Sequence, residues 1–309
     1  MRPRSEQKFI LIVRQTRLNE LVTRFNTVDQ ARFYIESLGN DFSDYVTEHE
    51  TYEAQVLAAR AILGRFGRLQ VLRREYLTNF IFGPKDMVFA IGQDGLVANS
   101  LKYLRGQPLI GLNPDPDRWD GILLPFSVGD LEALLPALLA GEFQTKDVTM
   151  GMVELNDGQS MLAVNDFFIG QKTHVSSRYA ISFAGNSEIQ SSSGIIVSTG
   201  LGSTGWMKSV LTGAAGIAAG REGRASQLDP ATLREDWSTA RLTFSVREPY
   251  PSNYTGADIV FGRITTEQPL ELENGVIFSD GIESDYLNFN SGITATVRLA
   301  ELRGKLVVG

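Results

Sequence analysis

GIIVSTGLGSTGWMKSV, residues 194–210, is the stretch on which the reading of this chain turns. A β-branched run enters a Gly/Ser/Thr loop, and a helix-compatible segment leaves it. The loop spells G-x-G-x-x-G with Gly200, Gly202 and Gly205. A dinucleotide fingerprint of that form sits at the first strand of a βαβ unit and needs an acidic residue roughly 20 positions on, at the end of the second strand. Here the loop falls two-thirds along the chain, and Gly220-Arg221-Glu222-Gly223, which reads as a loop, follows at that distance. It is not a P-loop, because Lys208 and Ser209 lack the preceding glycine. Leu201 stands where a nucleophile elbow around Ser203 would need glycine. Two readings stay open: a glycine-rich helix start capped by Ser203 or Thr204, and a set of N–H groups and hydroxyls at a positive helix N-terminus, suited to ribose or phosphate.

The chain has 309 residues, 43% of them hydrophobic, which is enough for two domains with real cores. A net charge of −7 argues against nucleic acid as the main partner, since duplex binding needs a basic footprint. The lack of any cysteine excludes disulfides, thiolate zinc sites and cysteine nucleophiles. His49 and His174 are the only histidines, too few for a multi-histidine metal site and unfavourable for a Ser-His-Asp hydrolase. The start, MRPRSEQKFILIV, has two arginines but only a short apolar run that reads as a strand. The longest greasy stretch, LEALLPALLAG, is broken by Glu132 and Pro136. A cytoplasmic protein with no membrane partner is expected.

Outward from the loop, the first 125 residues alternate strand and helix patterns. Strands are expected at 9–13, 69–72, 87–91 and 108–112, and helices at 28–38, 52–63 and 96–104. Thr27 is the expected cap of the first helix, whose Ala31, Tyr34, Ile35 and Leu38 share a face, with Gly39 as its stop. That rhythm implies a doubly wound sheet. A helix and connector are expected at 129–140. Beyond 148 the chain reads as short strands, at 160–164, 179–183, 194–198, 241–246, 258–264 and 293–299. Asn156-Asp157-Gly158 and Glu273-Asn274-Gly275 read as turns, and 203–219 as one inserted helix. The expected domains are 1–125, α/β, and 126–309, β-rich, with the boundary between 126 and 147 and the last strand free to return to the first domain.

Two further constellations carry chemistry. In VFAIGQDGL, residues 88–96, an acidic residue between glycines ends a parallel strand, where doubly wound folds bind ligands. The glycines let backbone approach phosphate, and the carboxylate can take a proton from an attacking hydroxyl. A tight turn is the plain alternative. In LAVNDFFIG, residues 162–170, Asn165-Asp166 interrupts an apolar run. Such a pair either sits in a bulge or turn in water, or grips sugar hydroxyls, the amide donating and the carboxylate accepting.

Taken in order, these pieces resemble the NAD kinase family: a strand ending in GGDGT, a G-[IL]-N segment, an Asn-Glu pair, and a strand leading into TPTGSTAY. Here they read Gly92-Gln93-Asp94-Gly95-Leu96, Gly111-Leu112-Asn113, Asn165-Asp166 and Thr199-Gly200-Leu201-Gly202-Ser203-Thr204-Gly205-Trp206. The resemblance spans roughly residues 86–300. Ser192-Ser193-Gly194, Trp206, LTFSVREP (242–249) and Asp280-Gly281 are similar to the mitochondrial-type branch and its bacterial relatives.

The resemblance implies an N-terminal Rossmann-like α/β domain, a C-terminal β-rich, sandwich-like domain, and a site in the cleft between them. It implies transfer of the ATP γ-phosphoryl group to the 2′-hydroxyl of NAD's adenosine ribose, with ATP and Mg2+ as cofactors and a homodimer or higher assembly. Asp94 would accept the proton. Gly92, Gln93 and Gly95 would lie against phosphate, with Gly95 also near the substrate. Asn165 and Asp166 would hold ribose hydroxyls, and Thr204, Gly205, Trp206 and Ser209 would line the adenosine and nicotinamide pockets. Arg178 would match a basic residue after the Asn-Glu pair. Trp206 has a plain alternative as a core aromatic. The chain departs from the family at Gln93, Leu96, Asp166 and Ser193. Gln93 and Leu96 motivate a second reading, a silent NAD/NADP-binding regulator; a third keeps the fold but makes it a kinase of a lipid, nucleoside or sugar, because the related lipid kinases carry a similar GGDGT-like loop.

Overall fold

A computed structural model describes residues 7–173, 175–222 and 234–309. The N-terminal arginines, His174 and Gly223 lie outside those residues. The chain divides into two units, one running to Lys146 and including Lys305–Gly309, the other spanning Asp147–Gly304.

The first unit is built from β1 (Lys8–Val13), α1 (Arg17–Phe25), α2 (Val28–Ser37), α3 (Ser43–Phe66), β2 (Arg68–Arg73), β3 (Met87–Ile91), α4 (Asp94–Leu101), β4 (Pro108–Asn113), β5 (Phe126–Ser127) and α5 (Leu131–Ala140). Its strands are parallel, in the order β5-β4-β3-β1-β2. β3 is buried along its whole length, which is why Met87–Ile91 is an unbroken apolar run. Tyr52, Val56, Ala59 and Leu63 recur along α3 at helical spacing and pack on Phe9, Leu11 and Phe89 of the sheet. Chain order reverses between β1 and β3. A crevice at the carboxyl ends of those strands is where such sheets take ligands.

Two expectations change here. The segment from Phe126 to Ala140 belongs to this unit, because Phe126, Val128, Leu131, Leu135 and Leu138 complete the same core. The helix α1 has no counterpart among the expected elements, although Thr16 and Asn19 form a capping box at its start.

The second unit holds β6 (Gln144–Leu155), β7 (Ser160–Ala163), β8 (Asp166–Gly170), β9 (Ser177–Phe183), β10 (Asn186–Ser192), β11 (Ile195–Ser198), α6 (Trp206–Glu222), β12 (Leu242–Val246), β13 (Phe261–Ile264), β14 (Leu270–Ser279) and β15 (Ile282–Val308). The antiparallel order is β13-β12-β11-β8-β14-β15, with β9 against β14. β15 is long, and its end returns to the first unit, where Lys305 and Leu306 pair with Pro108 and Leu109. One face of this sheet forms a core around Phe167, Ile169, Ile195, Val197, Ile277 and Phe289. The opposite face is covered by α6, where Met207 and Leu211 pack on Ile196 and Phe168.

Two turn or loop assignments differ from the sequence reading, and a third position that it left open is a turn. Glu273-Asn274-Gly275 is a bulge within β14, with Asn274 at φ 72° and Gly275 at φ 156°, and the register shifts there. Asn-Gly supplies the left-handed backbone a bulge needs as readily as that of a turn. Gly220, Arg221 and Glu222 continue α6 rather than forming a loop. The run 160–170 is two strands with a corner at Val164-Asn165.

Candidate functional site

In the first unit the G-Q-D-G segment joins β3 to α4. Gln93 is the N-cap, and Asp94 is the first helical residue, half-exposed, its carboxylate at the positive end of the helix. The Asp94 Oδ1 accepts a hydrogen bond from the Leu123 backbone N–H at 2.8 Å. Leu96 is buried under the loop, with its Cδ2 3.1 Å from the place a Cβ on Gly92 would occupy. Its methyls therefore face the core, and the residue does not crowd the exposed side of the loop.

A cation beside this loop comes from a residue that the sequence patterns do not single out. Arg14 follows β1, and its Cδ and Nε lie 3.4 and 3.5 Å from the missing Cβ of Gly92. Its guanidinium donates to Glu48 Oε1 at 2.8 Å and to the Gln15 carbonyl at 2.9 Å, and its carbon lies 4.9 Å from the centre of the Tyr52 ring. The Nε is buried without a hydrogen-bond partner. Burial pushes the Glu48 carboxyl up, but hydrogen bonds from Arg14 and Arg17 outweigh that and hold it below the ordinary range. Arg14, Arg60, Arg73 and His49 line a cavity of about 680 Å³ at the ends of β1 and β2. A lone arginine after a strand reads as a solvated end, so only the fold reveals this neighbourhood.

In the second unit Asp280-Gly281 is the two-residue turn between β14 and β15, with both residues at positive φ, 54° and 69°. That is the backbone a tight antiparallel hairpin demands, and Asp-Gly is among the pairs that adopt it. The turn aims the Asp280 carboxylate at three successive backbone N–H groups: Val164 at 3.0 Å, Asn165 at 2.6 Å and Asp166 at 3.3 Å. The Asn-Asp pair is thus clamped at its corner by an internal anion. Asp280→Ala should cost about 3 kcal/mol or more, since up to three backbone donors lose their acceptor. Asp280→Asn, which keeps an oxygen there, should cost less. Thermal unfolding of the two variants measures the difference.

Asp166 is 9% exposed. Burial, and secondly the nearby Asp280 charge, push its carboxyl up to about 7. It faces a cavity of about 760 Å³ that Phe168, Trp206, Arg247, Phe278 and Tyr286 also line. The aromatic wall follows from strand register, because Phe278 pairs with Phe168 on one side and Tyr286 on the other. Trp206, the first residue of α6, stacks on Phe168 at 5.6 Å and 22°. Phe168 lies flat over Gly170 and Gly194, whose Cβ atoms would come within 2.7 and 2.5 Å of its ring. Trp206 is 38% exposed, so it is a pocket wall and not a core aromatic.

The glycine loop divides into a packed part and an exposed part. Gly200 is pressed against the Asp236 carbonyl and Gly202 against the Asn165 carbonyl, each 2.1 Å from where a Cβ would sit. The N–H groups of Thr199, Gly202, Ser203 and Gly205 are spent on partners within the protein. Ser203 donates to the Gly200 carbonyl and accepts from the Glu235 N–H, so it does not cap α6. The first two glycines therefore allow close chain packing behind the Asn-Asp corner. Thr204, Gly205 and Ser209 are exposed beside Trp206. Arg178 is exposed on β9 and is not among the residues lining the aromatic cavity.

No protein-family model matches the chain, and no curated protein matches it by sequence. Solved structures do match. An NAD kinase from Archaeoglobus fulgidus in complex with ATP aligns with a TM-score of 0.56 and 16% identity, over 96% of this chain and 92% of that one. Yeast NADH kinase complexed with NADH aligns with a TM-score of 0.54 and 12% identity, over 99% of this chain and 84% of that one. The fold is that of the NAD kinases. The α/β and β-rich architecture expected from the motifs is the one found. Among the described residues no helix is long and apolar enough to cross a membrane.

Proposed function

We propose that this protein is a kinase that transfers the ATP γ-phosphoryl group to the 2′-hydroxyl of the adenosine ribose of NAD, making NADP. The observation that carries the reading is Asp94, held by the Leu123 N–H at the start of α4, at the strand end where this fold takes ligands. Phosphoryl transfer asks chiefly for positioning and charge neutralisation. Asp94 accepts the hydroxyl proton as the ribose oxygen attacks. Gly92, Gln93 and Gly95 let the donor phosphates approach backbone, and Arg14 supplies positive charge beside them. In the second unit Asn165 and Asp166 take ribose hydroxyls, and Trp206 offers its face to a planar ring. Thr204 and Ser209 contribute hydroxyls at the same edge, and Gly205 leaves room there for the ligand. Arg178 belongs to the proposal only through its sequence match.

Magnesium enters as part of the nucleotide substrate, carried on its phosphates. Among the described residues no group of three or more His, Asp or Glu side chains is placed to hold a metal; in this reading the ion would come on the phosphates, and the chain's own part is to bind and orient the nucleotide.

Incubation with NAD, ATP and magnesium, followed by assay with an NADP-specific dehydrogenase, tests the reaction; NADH and polyphosphate serve as alternative substrates. Calorimetric binding of NAD without any NADP formed would instead support the silent regulator. ATP consumption with a lipid, nucleoside or sugar and not with NAD would move the acceptor. Arg14→Ala should lower kcat/KM for ATP by about 10–100-fold, the equivalent of one charge-assisted hydrogen bond. An unchanged value removes Arg14 from the donor site. Light scattering on the eluting protein tests the homodimer or higher assembly that the resemblance implies.

A further inference from the structure

We propose that Asn113 and Gly111 are positioning residues for Asp94, acting through the 114–124 loop that presents the Leu123 N–H; this rests on the reading of Asp94 as the base. A carboxylate on the first residue of a helix, half-exposed, has two side-chain torsions to fix. One backbone donor at 2.8 Å selects among its rotamers and engages Oδ1. The aim of the carboxylate is therefore set by where residue 123 is held, and that is decided elsewhere in the loop.

Three features fix it. Gly111, inside β4, lies directly beneath the Leu123 carbonyl, which would be 2.1 Å from a Cβ at that position. Any side chain there must push the backbone of residue 123, a rigid neighbour that cannot rotate aside. Asn113, the last residue of β4 and only 5% exposed, spans the loop. Its Nδ2 donates to the Trp119 carbonyl at 2.9 Å and its Oδ1 accepts from the Asp115 N–H at 3.0 Å. Gly121, at φ 59°, lets the chain turn against Asn113, whose Nδ2 would be 2.5 Å from a Cβ there, and its carbonyl accepts from the Leu124 N–H at 2.9 Å. Arg118 in the same loop also pairs with Asp44 at the start of α3. The glycine of the G-L-N segment thus makes room for the loop and its asparagine closes it, the latter 19 residues after the carboxylate that both serve.

Misplacing a reacting group by about 1 Å costs on the order of 10²-fold in rate. Asn113→Ala is expected to lower kcat by about 10–100-fold, with KM for NAD and its calorimetric Kd within about twofold of the wild type. Introduced on top of Asp94→Asn, the same change should cost less than about threefold, because residues acting as a unit are non-additive. A structural role alone would lower both backgrounds equally, and that result overturns the proposal, as does an unchanged kcat. Gly111→Ala, which leaves the asparagine bonds in place, should repeat the pattern. If the wild type forms no NADP, the kinase reading fails on its own. The clamp is then read from thermal unfolding of Asp94→Ala, Asn113→Ala and the double variant, where coupled losses support it and additive losses overturn it.

Discussion

Replacing Asp94 by asparagine is expected to lower NADP formation by about 10²–10⁴-fold, the usual contribution of a placed general base, without disturbing the fold. The amide keeps an oxygen that can accept from the Leu123 N–H, so the contact at 2.8 Å survives while the proton acceptor is lost. Alanine removes both, and should add a stability loss of about 1 kcal/mol, since a hydrogen bond to a half-exposed carboxylate lies at the low end of its range. The informative comparison is turnover against melting temperature for the two variants. Equal turnover in wild type and Asp94→Asn would dismiss this carboxylate as the base. Equal melting temperatures in Asp94→Asn and Asp94→Ala would show that the Leu123 contact contributes nothing measurable.

The second large effect concerns Asp166, whose carboxyl is raised to about 7 by burial first and by the Asp280 charge second. An unfolded aspartate titrates near about 4. Between roughly pH 4 and 7 the folded chain therefore holds a proton that the unfolded chain has released. Stability is fully present below about pH 4, is lost as pH rises through that window, and is flat above it. Three units at about 1.4 kcal/mol each set an upper bound of about 4 kcal/mol on the loss. Asp166→Asn carries no such charge, so it should raise the melting temperature at pH 8 and leave it nearly unchanged at pH 4.5. A ribose hydroxyl donates to the ionised carboxylate, so NAD affinity should strengthen between pH 6 and 8 in the wild type and not in the variant. Melts at the two pH values and calorimetry across the range check both. A wild type whose stability rises from pH 5 to 8 relative to Asp166→Asn would reverse the sign and refute the assignment.

Much of the α/β half is legible in the chain because its signals are local. The run Met87–Ile91 is apolar throughout since both faces of β3 are covered, and Gly92 ends it where the backbone must turn. Thr27 caps α2 through its bond from the Gln30 N–H, as the sequence pattern implies. The β-rich half is less legible. β8 begins with an aspartate in a pair whose place in the run stays open from sequence, and β14 contains Asn-Gly, which marks a turn or a bulge equally well. Which of the two it becomes depends on the strand alongside.

Periodicity, turn chemistry and an ordered set of motifs were enough to point to the fold class and to the strand carrying Asp94, because each strand, helix and motif signal lies within a short run of neighbouring residues. Tertiary structure alone decided what surrounds the Asp94 and Asp166 carboxylates. Arg14 against Gly92, the Leu123 N–H on Asp94 and Asp280 beneath the Asn-Asp corner join residues separated by tens of positions or more, and one of the three partners is a backbone group with no side-chain signature. A side chain's type is written in the chain. Its neighbours, and so its charge state and aim, exist only once distant segments have packed.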